Sequence, residues 1–123
     1  LGQYQRAIAD YDEAIQLDPG FAGAYYNRGL VYGNLDEFQR AIEEYDKAIQ
    51  LDPGLADAYN SRGDAYKQLG QYQRAIEDFD KAIQLEPSAH YYNNRAWAHY
   101  YLFQYSQQRA DEAKACSLDS KYC

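Results

Sequence analysis

Methionine is absent from the chain, tryptophan occurs once, and proline only three times, at Pro19, Pro53 and Pro87. Basic residues are outnumbered, 12 Lys and Arg against 19 Asp and Glu, which gives a net charge of −7 and a pI near 4.7. That deficit disfavours a phosphate-backbone partner, which draws on clustered Lys and Arg, so no nucleic-acid partner is expected. No apolar run approaches the roughly 20 residues that span a bilayer, and no signal peptide is recognisable. The cytoplasm is the first expectation for its localisation. The two cysteines, Cys116 and Cys123, lie in the tail without a CxxC pair or a nearby His, so no metal site is expected. A bond between them would need the chain to fold back after Leu118, and they are expected as free thiols.

Catalysis needs a nucleophile with its base, a carboxylate pair in a cleft, a metal cluster or a phosphate-cradling glycine loop, and none of these is legible. Glu43, Glu44 and Asp46 resemble a carboxylate cluster, but Ala9, Asp10 and Asp12 precede them, and Glu77, Asp78 and Asp80 follow, at one fixed spacing. They read as a solvated outer helix face. His90 and His99 are not a ligand pair, because His99 stands where Tyr32 and Tyr66 pack and is expected partly buried. The chain is read as neither an enzyme nor a cofactor carrier.

What the sequence does hold is repetition. Tyr4–Ile8 reads YQRAI, Phe38–Ile42 reads FQRAI and Tyr72–Ile76 reads YQRAI, each copy 34 residues after the last. The prolines keep the same interval, as do Ala14, Ala48 and Ala82. Such a period signals stacked supersecondary units, since one unit cannot bury its own apolar face alone. Tyr59, Gly63 and Tyr66 share one helical face; Tyr72, Ala75, Ile76, Phe79, Ala82 and Ile83 share another, at spacings of three and four. Each unit therefore contains two helices, and the proline ends the second by restraining the residue before it. Small residues at Gly29, Gly63, Ala96, Ala7, Ala41 and Ala75 permit close helix approach, with Tyr11, Tyr45 and Phe79 filling the space beside them.

With Tyr25, Tyr59 and Tyr92 in register as well, the chain resembles a tetratricopeptide repeat array. The resemblance implies an all-α, right-handed superhelix of antiparallel helix pairs. The expected divisions are residues 1–20 as the second half of a truncated repeat, 22–54 and 56–88 as full repeats, and 89–123 as a degenerate final repeat. Leu1 aligns with Leu35 and Leu69 at the ends of first helices, so the chain is expected to be a piece of a longer protein. In the final repeat Gln108 and Glu112 replace small and aromatic residues, as a terminal cap requires.

The resemblance further implies a protein-interaction scaffold whose concave groove, lined by first helices, holds a peptide or partner protein. The groove candidates are Tyr26, Asn27, Leu30, Asp57, Asn60, Asp64, Lys67, Asn93, Asn94, Trp97, Tyr100 and Tyr101. Asn27, Ser61 and Asn94 are equivalent positions, and side-chain amides there would suit a peptide backbone, which both donates and accepts. Trp97, Tyr100 and Tyr101 would form an aromatic wall, and Asp57 and Asp64 a carboxylate floor, favouring a ligand with a cationic and an apolar anchor. Some members grip an acidic chaperone tail with two Lys, an Arg and two Asn. Here those places carry Tyr26, Leu30, Ser61, His90 and Asn94, so that clamp is not expected. The alternative function is self-assembly through the uncovered apolar face of Gln3 to Leu17.

Overall fold

The computed structural model describes residues 2–123. They form α1 (Gly2–Leu17), α2 (Ala22–Asn34), α3 (Phe38–Leu51), α4 (Ala56–Gln68), α5 (Tyr72–Leu85), α6 (Ala89–Tyr101), α7 (Tyr105–Leu118) and one 3-10 turn (Ser120–Tyr122). No strand occurs among the described residues. Helices α2 and α3, α4 and α5, and α6 and α7 pair, and each pair rests on the next through α3 on α4 and α5 on α6. The architecture is an all-α helical repeat array.

The turn within each pair follows one geometry. Glu37 N–H donates to Tyr32 C=O at 2.9 Å, Gln71 N–H to Tyr66 C=O at 2.9 Å, and Gln104 N–H to His99 C=O at 2.8 Å. This six-to-one closure needs a left-handed residue just before the donor. Gly70 supplies it at φ 76°, but Asp36 (φ 59°) and Phe103 (φ 60°) occupy the same place with a Cβ. An L-residue there is strained by about 1–2 kcal/mol. Phe103 is exposed, with little packing to set against the strain. Phe103→Gly is therefore expected to raise the unfolding free energy by roughly 1 kcal/mol in thermal denaturation.

Between pairs, the residue before each proline is pushed to extended backbone, as at Asp52 (φ −140°, ψ 91°) and Glu86 (φ −155°, ψ 103°). Asp119 adopts the same conformation (φ −153°, ψ 115°) although Ser120 replaces the proline. The chain accordingly turns after Leu118, and Asp119 Oδ1 accepts from Lys121 N–H at 3.0 Å. That turn brings the Cα atoms of Cys116 and Cys123 to 4.6 Å, and the two are joined in a disulfide. The expectation of free thiols is thus corrected: the backward fold that the bond requires is made by the extended Asp119 and the following 3-10 turn.

The core is built on close helix approach. Ala41, Ala48, Ala58, Ala75, Ala82 and Ala98 are fully buried, and so is Phe79. A Cβ added to Gly63 would lie 2.7 Å from Phe79 Cε1, and one on Gly29 would lie 2.6 Å from Tyr45 Cε1. Those aromatic rings occupy the volume that the missing methyl leaves. In the last pair Glu112 replaces the aromatic ring, and Ala96 is accommodated where the others need glycine. Helix α1 packs on α2 and, among its described residues, buries none completely.

Candidate functional site

Twelve groove residues were expected to share one surface, and the structure divides them. Leu30 from α2, Asn60 and Asp64 from α4, and Asn94 from α6 line one pocket of about 260 Å3, together with Ser61 and His90. Asn93, Trp97 and Tyr100 instead line a second cleft of about 710 Å3, between α6, α7 and the C-terminal turn, facing Gln108, Glu112 and Tyr122. Trp97 and Tyr100 thus belong with the cap helix and do not wall the central pocket. Tyr101 stacks on Tyr72 at 4.8 Å and 10° between the ring planes. His99 is partly buried, as expected, with Nδ1 2.7 Å from Gln104 Oε1.

Several candidates already have partners within the chain. The Tyr26 hydroxyl lies 3.3 Å from Ser61 Oγ, and Lys67 Nζ is 3.2 Å from Asp64 Oδ1. The Tyr91 hydroxyl donates to Asp57. Burial, with the Asp57 carboxylate against it, pushes Tyr91 above the ordinary tyrosine range, so it remains a donor. The expected set of Asn27, Ser61 and Asn94 gives way to a different pair: buried Asn94 Nδ2 donates to Asn60 Oδ1 at 2.9 Å, one repeat away. Asn27 does not reach the pocket. The bond uses one donor of Asn94 and the acceptor of Asn60. Asn94 Nδ2 also lies 3.4 Å from His90 Nε2, and among the described residues no side chain partners the Asn60 NH2 or the Asn94 side-chain carbonyl.

A second constellation was not anticipated from the sequence. Arg62 donates from Nε and Nη2 to both oxygens of Asp78, at 2.9 and 2.7 Å, and from Nη1 to Asp46 at 2.9 Å. Arg95 does the same with Asp111 (2.8 and 2.7 Å) and Asp80 (2.8 Å). Arg28 bonds Glu44 at 2.6 Å and Asp12 at 2.7 Å. Each guanidinium clasps its own pair's second helix and that of the preceding pair, and lies 5.3–5.5 Å from the ring centroid of Tyr25, Tyr59 or Tyr92. The acidic face is exposed as expected at Asp10, Asp12, Glu43, Asp46, Glu77 and Asp80, but the reading is corrected at Glu44, which is half-buried, and at Asp78, which is buried like its counterpart Asp111, because an arginine reaches each of the three. The signal was present as an arginine 16 residues before a carboxylate in each pair. Among the described residues, no group of three or more His, Cys, Asp or Glu side chains is arranged to hold a metal ion, and no helix is long and apolar enough to cross a membrane.

Known proteins bear out the repeat. A tetratricopeptide repeat family model matches residues 56–88, and a TPR repeat model matches residues 1–36 and 35–70. No curated protein matches the chain in sequence. Among solved structures, two of MamA superpose with TM-scores of 0.87 and 0.90 at 29% and 30% identity. They cover 96% and 98% of this chain, which spans only 65% and 71% of theirs. YrrB, described as a TPR protein with an unusual peptide-binding site, aligns at 25% identity and TM-score 0.83, over 89% of this chain and 57% of its own. The first TPR of Spaghetti (RPAP3), solved with an HSP90 peptide, shares the fold alone, at 24% identity and TM-score 0.79 over 80% of this chain and 79% of its own. The chain belongs to the tetratricopeptide repeat family.

Proposed function

We propose that the chain is a protein-interaction scaffold that takes an extended peptide in the central pocket bounded by α2, α4 and α6. The observation that carries this reading is the Asn60–Asn94 pair. Held by its mutual bond, it presents one amide donor and one carbonyl acceptor to the pocket, the complement of a peptide backbone in an extended state. Leu30 adds an apolar contact at the rim, and Asp64, with 46% of its side chain exposed, favours a cationic side chain over an anionic one. The net charge of −7 works in the same direction and against acidic tails. YrrB supports the reading as a structural relative described as having a peptide-binding site. The family is generally non-catalytic, in keeping with the lack of any catalytic constellation in the sequence.

The test is selection of extended 12-residue peptides from a random display library on the immobilised chain. Leu30→Lys removes the apolar contact and places a positive charge at the rim without disturbing the buried core, and is expected to weaken the selected lysine- or arginine-bearing peptides at least tenfold. Binding that Leu30→Lys leaves intact would move the peptide out of this pocket.

A further inference from the structure

The C-terminal turn reaches the central pocket through one side chain. His90 lines that pocket, and its two ring nitrogens face different elements. Nε2 lies 3.4 Å from Asn94 Nδ2, and Nδ1 lies 3.4 Å from the Tyr122 hydroxyl. The Asn94 NH2 can only donate, so Nε2 accepts; in the neutral ring Nδ1 then carries the proton and donates to the Tyr122 oxygen. Asn94 in turn donates to Asn60 Oδ1. Tyr122, His90, Asn94 and Asn60 therefore form one chain of hydrogen bonds that runs from the tail into the pocket, and its last two members are the amides proposed to meet the peptide.

Tyr122 is held there by the disulfide. The backbone bonds of the turn are local: Asp119 C=O accepts from Tyr122 N–H at 3.0 Å, and Ser120 C=O from Cys123 N–H at 3.1 Å. They shape the turn without tying residues 120–123 to α7. A three-residue 3-10 turn is marginal by itself, and a segment of this kind keeps its place only when it is tied down. The Cys116–Cys123 bond is the covalent tie. It is also accessible, because Cys123 is exposed, Cys116 is half-buried, and both line the cleft beside α7. Exposed disulfides are the labile and regulatory ones.

We infer that the Cys116–Cys123 disulfide is a redox switch for the central pocket, acting through Tyr122 and His90 on the Asn60–Asn94 pair. The inference rests on that pocket being the peptide site. Closed, the bond keeps Tyr122 against His90, which orients the ring and with it the Asn94 amide. Reduction takes two electrons and two protons from a small dithiol: one of its thiolates attacks Cys123 Sγ and releases Cys116 as a thiolate, and its second sulfur then displaces Cys123 and closes a cyclic disulfide. Both cysteines end as thiols, the turn is free to leave, and His90 loses the partner that orients it.

The experiment compares the whole chain oxidised and after treatment with dithiothreitol, with titration of both cysteines as free thiols as the proof of reduction. Without peptide, the side-chain NH2 signals of Asn60 and Asn94 are expected to shift on reduction and to return on reoxidation. Tyr122→Phe, which keeps the disulfide but removes the hydroxyl, should abolish that response. A library-selected peptide should bind the reduced chain roughly three- to tenfold more weakly, the range for one or two lost hydrogen bonds, and should bind Tyr122→Phe equally weakly in both states. Unmoved NH2 signals, undiminished affinity for a peptide that Leu30→Lys disrupts, or a full redox response in Tyr122→Phe would overturn the switch. Failure of the pocket reading is distinct: NH2 signals that respond to reduction, with peptide binding that Leu30→Lys leaves intact, would remove the peptide from this pocket and leave the coupling between tail and amide pair standing.

Discussion

Arg62→Ala is expected to lower the unfolding free energy by about 3–5 kcal/mol, the range found when one member of a buried ion pair is removed. The size follows from what remains. Asp78 has only 8% of its side chain exposed, and both of its oxygens accept from Arg62. Burial already pushes the Asp78 carboxyl above its ordinary value, with the Arg62 bonds pulling the other way, so deletion leaves the desolvation unopposed. The same deletion frees Asp46 on α3, loosening the junction between two pairs. Arg28→Ala should cost less, since Glu44 and Asp12 are more exposed than Asp78 and neither is gripped at both oxygens. Urea unfolding of the two variants side by side checks the order; equal losses would show that burial of the carboxylate does not set the cost.

Phe79→Ala is expected to be comparably severe, about 3–5 kcal/mol. Phe79 is the largest side chain with no exposure, and its ring fills the depression over Gly63 between α4 and α5. Neither neighbour can close the gap, because Gly63 has no side chain and Ala75 already sits at backbone contact distance from it. Phe79→Ala together with Gly63→Ala should recover part of the loss, since the added methyl enters the vacated volume. Gly63→Ala alone should destabilise, because its Cβ would stand 2.7 Å from the ring. Thermal unfolding of the two single variants and the double variant measures the coupling directly, and strict additivity would contradict this packing.

How far the sequence foretold these features depended on what carried the information. The 34-residue period is a local signal repeated three times, and it fixed the number and pairing of the helices through residues such as Ala75, Phe79 and Pro87. The arginine clasps rest on contacts between helices: Asp78 lies at the edge of the apolar face, three residues after Ala75 and four before Ala82, while Glu77 lies opposite, but spacing within one helix does not say that a carboxylate at that edge is buried. The recurrence of an arginine 16 residues upstream supplies that information. The tail was misjudged for a similar reason: Ser120 has no restraint of the proline kind, yet Asp119 is extended and the chain doubles back far enough to join Cys116 to Cys123. Trp97 is expected in the central groove because it lies on a first helix. The replacement of an aromatic residue by Glu112 opens a cleft beside α7 instead, and the indole lies there.

The proposed site for a partner peptide is the pocket around the Asn60–Asn94 pair. Amide chemical-shift mapping of the 15N-labelled chain with a peptide selected from the random library tests it most directly. The account predicts that the largest changes fall on Leu30, Asn60, Ser61, Asp64 and Asn94, and that the Asn60 and Asn94 side-chain NH2 signals move with them. Changes confined to Trp97, Tyr100 and the residues of α7 would contradict it and transfer the binding surface to the C-terminal cleft.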